Sequence, residues 1–87
     1  MRLTDALFYW LQLRLLADGR PGDTAAEESL AWFARVLAED HGLTSFEITS
    51  MDDDKIHMSY TVREEAPRTV WFDREAAEQL TRDLYPE

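Results

Sequence analysis

The sequence predicts an α+β domain: a two-layer sandwich of order α-α-β-β-β-α, with a three-stranded antiparallel meander and its helices packed on one face. Two observations predict it. Apolar residues recur at helical spacing across 3–37 and again across 77–84. Across 46–72 the apolar period drops to two, the signature of strands.

A length of 87 residues suits one domain, 1–87, and not two. The chain has no cysteine, so no disulfide reinforces a small core. Three Trp, four Phe and three Tyr are expected to do so, since each large ring buries roughly 150–250 Å².

Each element has a local reason. Thr4 is a good N-cap for a first helix over about Asp5–Ala17. Leu3, Leu7, Trp10 and Leu11 share one side of it, with Phe8 and Leu15 beside them. Leu13 and Leu16 lie on the far side. Only Asp5 and Gln12 form a polar stripe, and Arg14 falls inside the apolar face. A helix apolar nearly all round is covered on more than one side.

Gly19, Pro21 and Gly22 mark a loop. Thr24-Ala25-Ala26-Glu27 fits a capping box opening a second helix, which runs to about His41. Ala26, Leu30, Phe33 and Leu37 form its buried stripe, broadened by Trp32 and Val36, and Gly42 is the expected C′ residue.

Phe46 and Ile48 then alternate with Glu47 and Thr49, and Ile56, Met58, Tyr60 and Val62 with His57, Ser59, Thr61 and Arg63. Keeping both apolar sets on one face requires an odd-numbered connection, because a one-residue slip turns every side chain over. A three-residue loop on Asp52-Asp53-Asp54 satisfies this, with Ile48 opposite Met58 and His57 across from Thr49. After a turn over 64–67, Val70 and Phe72 point inward on a third strand and Trp71 outward. Asp73 caps a last helix over about Arg74–Tyr85, with Ala77, Leu80 and Leu84 inward and Pro86 past its end.

The formal net charge is −9. That argues against a nucleic-acid backbone or an anionic membrane as partner, since both are gripped by Lys and Arg. It favours basic protein partners. The apolar run after Met1 is interrupted by Asp5, Gln12 and Arg14 and is too short to span a bilayer, so a cytoplasmic protein is expected.

No catalytic, cofactor or metal site is expected. The aspartate run lacks the glycine and the distal Glu of a calcium loop and reads as a solvated hairpin tip. His41 and His57 have neither ligand spacing nor a cysteine beside them. Two surfaces stand out instead. On the outer sheet face, Trp71 is expected beside Arg63, Thr61 and His57, with Arg63 across the indole as a cation–π pair. This is a candidate partner surface, because Trp and Arg are enriched at binding hot spots. The opposing reading folds the first helix over that face and buries Trp71. On the first helix, Phe8, Leu13 and Leu16 are a candidate twofold dimer surface, unless the helix is sandwiched inside the protomer.

From the second helix onward, the α-β-β-β-α order resembles a double-stranded-RNA-binding domain. That family grips phosphates with a basic cluster at the start of its last helix. The matching stretch here, Asp73-Arg74-Glu75-Ala76-Ala77-Glu78, is acidic, so the resemblance extends to element order alone.

The function expected is that of a non-enzymatic protein-interaction or regulatory protein, dimeric, acting through protein contacts. Two alternatives differ in class. An acidic mimic of nucleic acid would need its carboxylates, such as Asp23, Glu27, Glu28, Glu39, Asp40 and the aspartate turn, on one surface. A ligand-binding or enzymatic domain would need a pocket between sheet and helices.

Overall fold

Three helices form one layer and three strands the other. The computed structural model describes residues 1–84, in the predicted order: α1 (Leu3–Gly19), α2 (Thr24–Glu39), β1 (Leu43–Met51), β2 (Lys55–Val62), β3 (Arg68–Asp73) and α3 (Arg74–Leu84). The sheet is an antiparallel meander of order β1-β2-β3. The expected end of the last helix at Tyr85, and Pro86, lie outside the described residues.

The core lies between the inner sheet face and α1. Ile56, Met58 and Tyr60 of the central strand are buried, as are Leu7, Leu11 and Leu37 from the helices. Burial of each aliphatic side chain stabilises the fold by roughly 1.5–3 kcal/mol. Rings lock the two layers together: Trp10 meets Phe46 edge-on at 4.9 Å, and Phe8 meets Phe72 at 5.4 Å.

α1 lies between α2 and α3 on the inner side of the sheet. This accounts for its all-round apolar character. Leu3, Leu7 and Leu11 recur at four-residue spacing toward the sheet, while its flanks meet α2 and α3. The same row continues to Arg14 and Asp18, which are exposed and paired at 3.1 Å. The Arg14 guanidinium also lies 5.9 Å from the centroid of the Trp10 ring, which accounts for an arginine inside the apolar stripe.

Several local expectations are corrected. α1 starts at Leu3 with Arg2 as N-cap and no side-chain cap, because Leu3 itself packs against the core; Thr4 stands inside the first turn. α2 is capped by Asp23, whose Oδ1 accepts the Ala26 N–H at 3.1 Å, and not by Thr24, already the first helical residue. α2 ends at Glu39, so His41 stands past the helix. Gly42 carries the left-handed φ of +70° one position later than expected, since the cap residue is Asp40. Trp32 does not broaden the buried stripe: it is 51% exposed and stands edge-on to Phe33 at 4.8 Å. Asp73 does cap α3, its Oδ2 accepting the Ala76 N–H at 2.9 Å.

The register holds Ile48 opposite Met58 and Phe46 opposite Tyr60, as expected. The route to it differs. The last pair is Met51 with Ile56, and the Asp52 N–H closes onto the Lys55 carbonyl at 2.9 Å. Pairing at the tip is therefore even. An extra residue at Thr49, in a bulge between Ile48 and Ser50, restores the inward set. A second shift lies between Leu43 and Ser45. At both places the skipped residue is a threonine whose hydroxyl donates to the facing strand. Thr49 Oγ1 reaches the His57 carbonyl at 3.2 Å, and Thr44 Oγ1 the Thr61 carbonyl at 3.3 Å.

Candidate functional site

The outer sheet face is left open by the helices. Residues that alternate with the buried Ile56, Met58 and Tyr60 point there: Lys55, His57, Ser59 and Thr61 on β2, and Thr69, Trp71 and Asp73 on β3. Trp71 is directly opposite His57 and is 55% exposed. The reading in which α1 folds over this face is thereby excluded.

The cation beside Trp71 is Lys55, with Nζ 4.5 Å from the ring centroid, and not Arg63. Register explains the difference. Lys55 pairs with Asp73, one step from Trp71 on the same face. Arg63 lies past the end of β2, six positions beyond His57, or about 20 Å along the strand at roughly 3.3 Å per residue. Its N–H donates to the Gly42 carbonyl at 2.9 Å. Thr61 is half-buried opposite Ser45, at the Arg63 end of the sheet. His57 pairs with Ser50 and not with Thr49, because of the bulge. The structure thus joins Trp71 and His57 and separates both from Arg63 and Thr61.

Lys55 was not singled out by sequence reasoning, and Asp52 was read there only as one of three aspartates at a solvated hairpin tip. Asp52 organises the hairpin tip. Its Oδ1 accepts the N–H groups of Asp54 at 2.9 Å and Lys55 at 2.7 Å, an Asx turn. Its Oδ2 faces His57 Nε2 at 3.5 Å. The Asp54 N–H first, then that of Lys55, with the His57 ring adding to them, hold the Asp52 carboxyl below its ordinary 3.8. Arg74 pins the tip to α3: its N–H donates to the Asp54 carbonyl and its Nη1 to the Asp52 carbonyl, both at 2.9 Å. The aspartate turn is therefore a tied structural corner. The readable signal was the row Asp52-x-x-Lys55 ahead of the strand, an Asx-turn spacing.

The second surface lies on the opposite side of the molecule, on the outer face of the helical layer. α1 forms its floor through Tyr9, Gln12, Leu13 and Leu16. α2 contributes Ala25, Ser29 and Phe33 on one side, and α3 contributes Leu80 and Leu84 on the other. Two adjoining hollows of about 280 and 250 Å³ share Leu13, Ser29 and Leu80 and make one groove. Of the three residues expected at a dimer surface, Leu16 is buried at 4% exposure and Phe8 packs inward on Phe72. Leu13 alone lines the groove as a half-exposed residue. Tyr9 and Phe33, with ring centroids 5.7 Å apart, were missed at this surface. Tyr9 sits on the same helical stripe as Gln12 and Leu16, and that spacing could have found it.

These hollows are on the outer face of the helices, whereas a pocket between sheet and helices was the requirement of a ligand-binding reading. Between the layers, Leu7, Leu11, Ile56 and Met58 are closed from solvent. Among the described residues no group of three His, Cys, Asp or Glu side chains converges, and no helix is long and apolar enough to cross a membrane. What fold and surfaces define is an acidic two-layer α+β domain with one open sheet face and one apolar helical groove. Comparison with protein-family models, with curated proteins and with solved structures finds no match.

Proposed function

We propose that this protein is a non-enzymatic interaction or regulatory module that acts by protein–protein contact, with the sheet face around Trp71 as a contact surface. The observation that carries the reading is Trp71 itself, 55% exposed on a face that no helix covers. A large indole left in water is costly to keep there, and it becomes a strong anchor once a partner desolvates it. Lys55 and His57 beside it supply polar contacts at its rim.

The test uses the intact chain as bait. Trp71→Ala together with Lys55→Ala should remove specific partners from quantitative affinity capture, while circular dichroism shows the fold retained. A photo-crosslinking residue at Thr69, beside Trp71 on the same face, should label the partners that the double variant loses. An unchanged partner list with the double variant would exclude this face as the contact.

A further inference from the structure

We infer that the groove on the outer face of the helical layer receives a basic amphipathic helix of a partner protein. This surface is separate from the Trp71 face and does not depend on it.

The shape suits a helix. From Tyr9 to Leu16 the floor runs about 10 Å at 1.5 Å per residue, so roughly two turns of a partner helix lie over it. The walls, α2 and α3, stand on either side of α1, and a helix seated between them would complete a second helical layer. The lining offers apolar contacts in sequence along the groove: Tyr9 and Phe33 at one end, Leu13 and Leu80 in the middle, Leu16 and Leu84 at the other. That series matches a helix presenting apolar residues at i, i+3 or i+4, and i+7. Tyr9 and Leu84, at the two ends of the groove, are 45% and 55% exposed, so apolar surface is open to solvent at both ends.

Charge selects the partner. Helical spacing places Asp5 on the floor stripe, four residues before Tyr9, and Glu28 one turn before Trp32 on the outer side of α2. Asp83 lies on the α3 rim beside Leu80, and Asp23 lines the far end. Arg35 is also on the α2 rim. Arg14 and Arg82 are engaged with carboxylates of their own helices, Asp18 for the first and Glu75 and Glu78 for the second. An apolar floor inside a mainly acidic rim is complementary to a helix with one apolar side and Lys or Arg on its flanks. A second copy of this chain is the poorer occupant, since it would bring another −9 against the first.

The probe is a synthetic peptide of about 14 residues, with Leu at helical spacing on one side and Lys on the flanks, titrated into the full chain by fluorescence anisotropy. Saturable one-to-one binding is expected, weakening as salt is raised. Ser29→Arg sets bulk and a cation into the groove at an exposed position and should weaken binding about tenfold or more. Leu13→Ala, which removes floor contacts, should weaken it less. Circular dichroism verifies that both variants fold, and Trp71→Ala should leave peptide binding unchanged. Four results would each overturn the assignment. A peptide of the same composition, scrambled so that the Leu spacing is lost, binds as well. Ser29→Arg has no effect, or Trp71→Ala alone abolishes binding. Light scattering finds a dimer at high micromolar concentration that Ser29→Arg dissociates, which would give the groove to a second copy.

Discussion

The ammonium of Lys55 stands 4.5 Å from the centre of the Trp71 indole, across the β2–β3 pair on the open face of the sheet. A cation at that distance from a ring is attracted by its quadrupole, by about 0.5–1 kcal/mol at an exposed site. A double-mutant cycle with Lys55→Met and Trp71→Leu, followed by urea unfolding, should give a coupling of that size. Strictly additive single changes would mean that the ring and the cation are independent. Arg63→Met combined with Trp71→Leu is the matched control and should show no coupling, because the register keeps Arg63 far along the strand.

Acid tests the corner built on Asp52. The N–H groups of Asp54 and Lys55 favour its carboxylate and hold its pKa below the ordinary 3.8. The unfolded chain therefore takes up this proton more readily than the folded one. The stabilisation is complete above the unfolded value, about 3.9, and is lost as pH falls through the lower folded value. Asp52→Asn keeps an oxygen acceptor for the two N–H groups but does not titrate. The difference in melting temperature between wild type and Asp52→Asn should be constant above about pH 5 and should change in the variant's favour as acid is added. Parallel curves down to about pH 2 would contradict the role given to this carboxylate.

Thr49 makes an unusual deletion testable. At the hairpin tip Ser50 pairs with His57 and Met51 with Ile56; beyond the bulge Ile48 pairs with Met58. Removing Thr49 joins Ile48 to Ser50 and leaves every one of those pairs in place. The deletion variant should fold with the same inward residues, seen as an unchanged Ile48–Met58 cross-strand contact by NMR. Its cost should be near 1 kcal/mol, the hydrogen bond to the His57 carbonyl. Loss of the Ile48–Met58 contact, or failure of the deletion variant to fold, would mean that Thr49 is not the residue that reconciles tip and core.

Helix capping separates two neighbours. Asp23→Ala should destabilise the protein by about 1 kcal/mol or more in chemical unfolding, since its carboxylate accepts the Ala26 N–H at the head of α2. Thr24→Ala should stay within about 0.5 kcal/mol, as an exposed first-turn substitution. The reverse order would restore Thr24 as the cap.

The order of elements, the inward residues of all three strands and the Asp73 cap were legible in the sequence. Each depends on residues within a few positions of one another, and periodicity and capping chemistry record such local preferences directly. The pairing of Ile48 with Met58 was legible too, because only one parity buries both apolar sets. Tertiary structure decided what lies between distant segments. It placed α1 between α2 and α3, so that its surplus apolar side became a groove floor and Trp71 stayed in water. It set Lys55 beside Trp71 and Arg63 at the far end of the sheet, through a strand pairing that no local pattern encodes. It reached the legible register through an illegible device, an even hairpin corrected by a threonine bulge. Burial of Ile56, Met58 and Leu7 rewards the inward set however it is achieved, so the core fixes which side chains face in and the backbone settles the path.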